Sequence, residues 1–406
     1  MTQNSGRPAA AILPSRRLAS IDTFRALTMF LMIFVNDLVL VKDVPAWLEH
    51  AGETEDRLGL ADTVFPAFLF IVGLSIPFAI GGRIAKGFSR RSTFFHILRR
   101  SFALLAMGFF QVNYENYRGD GAVLPKYGWL LIVTIAFFLV WLDYPADLSK
   151  RRKQALQGSG VLLLLVMALL YKGGTAEDPE WMQPHWYGIL GLIGWCYLLC
   201  ALVYLFAKDR LPILLTVLVF FLGFAIADKA GWLYFLLPVR QYVWIVGSGT
   251  LPALTMAGIA TAVYYRRRVS DGKALQGLMV LAVLALVALG TGFALRPLGG
   301  ISKIHSTPCW ILICMSISLG CFILLAFLVD KEGKAKWFRV FRPAGTSALT
   351  SYLLTYLHFA VFQLVGWRLP LILRTGDIGI GKSLVFALLI VLLTGVLEKK
   401  KMRLSI

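Results

Sequence analysis

The sequence predicts an all-α polytopic membrane protein, a bundle of about 10–12 transmembrane helices. Three observations predict it. Of 406 residues, 58% are hydrophobic and only 16% charged, against roughly 45–50% and about 25% in soluble domains. Long apolar runs recur along the whole chain. The basic residues gather in the short stretches between those runs. An ordinary soluble enzyme, a disordered chain and a collagen-like fibre are excluded by the first observation. The third turns the net charge of +19 away from nucleic-acid binding and toward membrane orientation.

A helix needs roughly 20 apolar residues to cross about 30 Å of hydrocarbon. Apolar runs fall near 23–41, 62–82, 94–112, 127–142, 159–171, 187–207, 211–227, 251–265, 275–294, 308–329, 345–366 and 382–397. The runs at 159–171 and 251–265 are short. Lipid-exposed backbone must be helical to satisfy its own hydrogen bonds, so the spans are helices. With twelve spans and a cytoplasmic N-terminus, 29 of the 41 Lys and Arg residues lie on the cytoplasmic side. The dense clusters Arg90-Arg91, Lys150–Lys153, Arg266–Arg268 and Lys399–Lys401 all lie there. The positive-inside rule therefore orients both termini to the cytoplasm. The chain divides into an N-terminal tail (1–21), a transmembrane domain (22–397) with an outer loop at 42–61, and a C-terminal tail (398–406). The polar, basic residues 1–21 lead to the expectation of no cleaved signal peptide, with the first span serving as an uncleaved anchor. The expected location is an inner membrane, as a multi-pass protein. A homo-oligomer is compatible with this composition.

The five cysteines lie in or beside apolar runs and read as small buried hydrophobes. Cys196 and Cys200 share a helix face, but no second ligand pair follows, so no metal site is expected.

Polar residues at span ends carry the functional information. Asp22 and Arg25, three apart at the inner end of the first span, are spaced for an ion pair. Asn36 and Asp37 close that span at its outer end. The loop 42–61 holds His50, and Asp62 opens the second span. One span runs out and the next runs back, so these four residues share the outer face. A carboxylate beside His50 would fix its tautomer and raise its basicity, whereas Asp62 alone reads as a helix N-terminal acid. His305 precedes a span in an outer loop. His358 lies inside the span 345–366, where an ionisable group is a functional candidate by default. His96 and His185 read as interfacial residues.

The opening Arg17-Leu-Ala-Ser-Ile-Asp22-Thr-Phe-Arg25, running on to Asn36, resembles the heparan-α-glucosaminide N-acetyltransferase family. So does Leu58-Gly-Leu-Ala-Asp62-Thr-Val-Phe-Pro66, which continues to Gly73. Pro184-His-Trp-Tyr-Gly and Gly345-Thr-Ser-Ala-Leu-Thr-Ser-Tyr352 are similar to its bacterial, NagX-type branch. The sequence departs at Ala26, where the family has Gly, and after His50, where relatives have a Trp.

The resemblance implies transfer of an acetyl group from cytoplasmic acetyl-CoA to the amine of glucosamine, or of a glucosamine-containing sugar, on the periplasmic side. Acetyl-CoA is then a cosubstrate, and no metal takes part. It places His50, Asn36 and Asp62 in the catalytic role. Asp37, His305 and His358 are candidates for contact with the sugar. Arg25, Arg266 and Arg342 at the inner face are candidates for the CoA phosphates. Two routes fit: an acetyl-imidazole on His50, or a ternary complex in which His50 is general base on the amine. The second accounts more directly for the proton that an ammonium must lose. A secondary sugar transporter and an O-acyltransferase on a surface glycan are the rival readings.

Overall fold

The computed structural model describes residues 18–119, 121–175, 177–236, 238 and 249–406. The expectations for residues 1–17 lie outside the described residues. Among the described residues thirteen α-helices follow in order: α1 (Ala19–Leu38), α2 (Ala61–Ala85), α3 (Arg90–Glu115), α4 (Lys126–Trp141), α5 (Lys150–Leu169), α6 (Gly188–Ala207), α7 (Leu211–Lys229), α8 (Thr250–Ser270), α9 (Ala274–Ala294), α10 (Pro308–Leu325), α11 (Arg342–Thr346), α12 (Ala348–Val365) and α13 (Gly376–Lys399). All but the short α11 correspond one to one with the twelve apolar runs. The two short runs sit in full-length helices, α5 and α8, because each helix continues through flanking polar residues, Lys150–Gly158 and Arg266–Ser270. Among the described residues the only paired strands are Gly173–Gly174 and Pro179–Glu180. The protein is an all-α polytopic membrane protein.

Among the described residues, eight helices are long and apolar enough to cross a bilayer: α1, α2, α6, α7, α9, α10 with its π-helical extension Ala326–Lys331, α12 and α13. The apolar α4 has 16 residues. Helices α3, α5 and α8 carry basic clusters at one end, Arg90–Arg100, Lys150–Lys153 and Arg266–Arg268.

Burial separates the centre of the bundle from its rim. Helix α8 is buried along nearly its whole length and α2 along most of it, whereas only a minority of the residues of α5, α7, α9 and α13 are buried. Exposed leucines on a soluble surface would be a liability; in a bilayer the lipid covers them. The central pair meets through glycine. A Cβ added at Gly73 would come 2.0 Å from the Thr255 carbonyl oxygen, and one at Gly258 would come 2.1 Å from that of Phe70. The backbones of α2 and α8 therefore touch, as small residues allow in membrane bundles.

The C-terminal residues dock onto the bundle. Leu404 bridges Leu142, and its amide donates to Thr350 Oγ1 at 2.9 Å. Arg403 pairs with Asp143 at 3.1 Å.

Candidate functional site

The loop 42–61 folds back over the start of α2. Leu60 N and Ala61 N donate to the carbonyls of Trp47 and Leu48. Gly59 passes so close to Glu49 that an added Cβ would sit 1.7 Å from its carbonyl oxygen; only glycine permits this crossing.

That closure brings His50 to Asp62, with His50 Nδ1 2.7 Å from Asp62 Oδ1. The Asp62 side chain is 2% exposed and that of His50 37%. The other carboxylate oxygen accepts from Ala51 N at 2.9 Å and Gly59 N at 3.2 Å. The Asp62 carbonyl accepts from Trp310 Nε1 at 3.2 Å. An acceptor-only carboxylate at this distance requires Nδ1 to carry the proton. The half-exposed ring then keeps Nε2 as its basic nitrogen. This is the arrangement of an oriented general base.

The α9–α10 loop forms the other wall. Asp56 accepts from Arg296 Nε at 2.9 Å and from Ile301 N at 2.7 Å. These bonds, the Ile301 amide above all, hold the Asp56 carboxyl below the usual carboxylate range. Lys303 Nζ lies 3.2 Å from His50 Nδ1 and 4.0 Å from Asp62 Oδ1. Burial pulls its ammonium below the ordinary lysine value, and the Asp62 charge pulls it back.

The remaining sequence candidates fall in different places. Asn36 is exposed at the end of α1. Asp37 turns to α13, where Lys382 Nζ donates to it and Ser383 Oγ does so at 2.6 Å. His358 stacks against Phe362 and Phe386, with ring centroids 4.1 and 4.7 Å away. His305 is exposed, its amide bonded to Ser302 Oγ. The structure thus joins His50 to Asp62 and gives Asp37 a separate ion pair.

At the opposite end of the bundle, a cavity of about 830 Å³ enters between α1, α2, α3, α6 and α12. That is the upper part of the usual range for small-molecule pockets, about 300–1,000 Å³. Its mouth carries Arg25, Arg83, Lys86 and Arg100. Along α2 the lining runs from Lys86 back to Phe68, about 27 Å at 1.5 Å per residue. Phe68 is six residues short of Asp62, about 9 Å along the axis. Arg25 is paired with Asp22 at 3.2 Å, as the spacing predicts, and donates to Ser75 Oγ at 2.6 Å. Buried Nε atoms of Arg83 and Arg100 and the buried Ser347 hydroxyl have no hydrogen-bond partner among the described residues. All three residues line the cavity, so the cavity presents unused hydrogen-bonding groups, two of them on cationic side chains. Arg266 is paired with Asp209 at 2.5 Å, and neither it nor the exposed Arg342 is part of the lining.

Sequence reasoning missed Lys303, Arg83, Lys86 and Arg100. Lys303 stands two residues from His305, in a loop that drew notice only for its histidine. The other three lie among basic residues whose clustering serves equally to orient the spans.

Fold and site together define a polytopic membrane protein with an oriented His–Asp pair at one end and a basic-mouthed cavity entering from the other. Residues 17–245 match the family described as "Domain of unknown function (DUF5009)", and the chain belongs to that family. It is also similar to two curated proteins named heparan-alpha-glucosaminide N-acetyltransferase. The Mus musculus protein is 32% identical over 142 residues, 32% of this chain and 21% of that protein. The Homo sapiens protein is 38% identical over 102 residues, 25% of this chain and 14% of that protein. The match thus spans about a fifth or less of the length of these relatives.

Proposed function

We propose that the chain is a transmembrane N-acetyltransferase that moves the acetyl group of acetyl-CoA to the amine of glucosamine or a glucosamine-containing sugar. Its setting is a bacterial inner membrane, with the cavity mouth toward the cytoplasm and the His50 end toward the periplasm. The observation that carries this reading is the alignment of two halves: the oriented His50–Asp62 pair, and a long cavity whose basic mouth lies at the far end of the same helix, α2. The nearness of that mouth to the basic clusters supports the orientation.

Arg83, Lys86, Arg100 and Arg25 would hold the phosphates of CoA, and Ser347 would meet the amide-bearing arm. The cavity's length along α2 suits an extended arm that carries the thioester toward His50.

The sugar enters as a free amine after its ammonium has released one proton to water. The amine nitrogen attacks the thioester carbonyl, forming the C–N bond. His50 Nε2 takes the second proton, while Asp62 holds the imidazolium through Nδ1–H. The C–S bond then breaks, and the leaving thiolate recovers the proton from Nε2. Products are the N-acetyl sugar and CoA, and His50 is returned neutral. Asn36, at the end of α1, is the candidate donor to the oxyanion that forms during attack.

The test is release of CoA thiol by purified protein in vesicles, with acetyl-CoA and glucosamine supplied together. Thiol release that requires the sugar, with stoichiometric N-acetylglucosamine, is the expected result. No release with any amino sugar would remove this reading. O-acetylation of a sugar lacking the amine would favour the surface-glycan alternative.

A further inference from the structure

Nδ1 of His50 has two neighbours of opposite charge, Asp62 Oδ1 at 2.7 Å and Lys303 Nζ at 3.2 Å. An ammonium carries only donors. It therefore makes no hydrogen bond to an Nδ1 that already bears a proton. Its attraction is to Asp62, 4.0 Å away, and its effect on the ring is repulsion.

This geometry answers a difficulty in the proposed reaction. A buried carboxylate alone would favour the imidazolium. The base would then hold the proton it takes from the amine and be slow to return it to the leaving thiolate. A cation at comparable distance offsets the carboxylate.

The other charged or titratable groups around the ring make a balanced set. Arg57 donates to the His50 carbonyl at 3.3 Å, and Glu55 pairs with Arg57 at 2.8 Å. Cys314 of α10 faces the Asp62 carbonyl at 3.9 Å through a buried thiol. Asp62 and Lys303 are thus the charges that meet the ring nitrogen itself.

Lys303 is also held in place. Its carbonyl accepts from Ser306 N at 3.0 Å, and Ser306 takes the left-handed conformation with φ 49°. Thr307 and Ser302 exchange bonds across the same turn, from Thr307 N to the Ser302 carbonyl and from Ser302 N to Thr307 Oγ1. That turn starts α10, whose Trp310 fixes the Asp62 backbone. One helix start thereby sets both charges.

We propose that Lys303 is a positioning residue that keeps the His50 imidazole neutral between turnovers, offsetting the Asp62 carboxylate so that the proton is handed on. This rests on the reading of His50 as the general base.

The experiment is titration of the His50 ring by NMR in histidine-labelled protein, with the His50 signal assigned by its loss in His50→Asn. It compares wild type, Lys303→Met, Lys303→Gln and Lys303→Arg. Loss of the cation should raise the ring's pKa by about one unit, a tenfold change in proton affinity. The acid limb of kcat/KM should move to higher pH by the same amount, and Arg should restore both. The Gln variant repeats the measurement if Met perturbs folding.

A ring pKa unchanged in both Met and Gln variants would overturn the proposal, as would lost activity with the acid limb unmoved. The ring titration needs no turnover, so it reads Lys303 even if the protein proves to have no acetyltransferase activity.

Discussion

Gly73 and Gly258 face each other across the line where α2 meets α8, and neither position has room for a Cβ. Helix α2 carries Asp62 at one end and the cavity lining along its length. The contact that packs the centre of the bundle therefore also sets the register of the candidate site. Gly258→Ala should lower the melting temperature in detergent, with a loss of about 1–3 kcal/mol typical of overpacking. Gly81→Ala, where nothing lies within 4 Å of the added methyl, should leave melting unchanged or raise it slightly.

His50→Ala should reduce acetyl transfer by about 10²–10⁴, the contribution of a positioned base, while CoA affinity stays near wild type. Turnover within a few-fold of wild type would remove His50 from the chemistry. Asp62→Asn should also reduce turnover strongly, because an amide no longer enforces the proton on Nδ1. Asp62 is deeply buried and accepts from two amides besides the ring, so this variant should melt earlier, unlike His50→Ala.

The cavity mouth makes a separate prediction. Arg83→Ala, Lys86→Ala and Arg100→Ala should each raise KM for acetyl-CoA about tenfold or more with kcat little changed. A hydrogen bond to a charged group contributes about 1.5–3 kcal/mol. Arg342→Ala, outside the lining, should leave KM within a factor of two. Steady-state kinetics at varied acetyl-CoA distinguish the two groups.

The Asp56 clamp should respond to acid. Its folded-state carboxyl lies below the ordinary value of 3.8, so its contribution is present above that pH and lost as the pH falls below it. Protection of amides 51–58 against hydrogen exchange, taken relative to the intrinsic rate at each pH, should hold from pH 7 to about pH 4 and fall below it. Asp56→Asn should show the reduced protection at every pH. Equal protection in this variant and wild type would mean that the carboxylate does not hold the loop.

The spans were legible because bilayer thickness imposes its own length on each apolar run. Even α5 and α8, whose runs looked short, were found at the right places; only their polar extensions were not read. The His50–Asp62 pair was legible because residues 39–60 join two antiparallel helices and His50 stands only twelve residues before Asp62. Asp37 was not placed correctly by the same logic. It shares the outer face with His50, but one residue beyond Asn36 turns its side chain toward α13, where Lys382 neutralises it. Sequence adjacency carries no information about which way around the helix a neighbour waits. Lys303 was hidden for a related reason: it reaches the ring from 253 residues away.

The span between Asp62 and Lys303 also sets a clock. A ribosome adding roughly 5–20 residues per second makes the His50 loop and α2 early. It then needs on the order of 10–50 s at that rate to reach the loop that bears Arg296, Lys303 and the start of α10. During that interval the nascent chain holds an unclamped His50 loop, with neither Arg296 on Asp56 nor Trp310 on Asp62. The site is completed late in biogenesis, after the segment that matches the family has already been made.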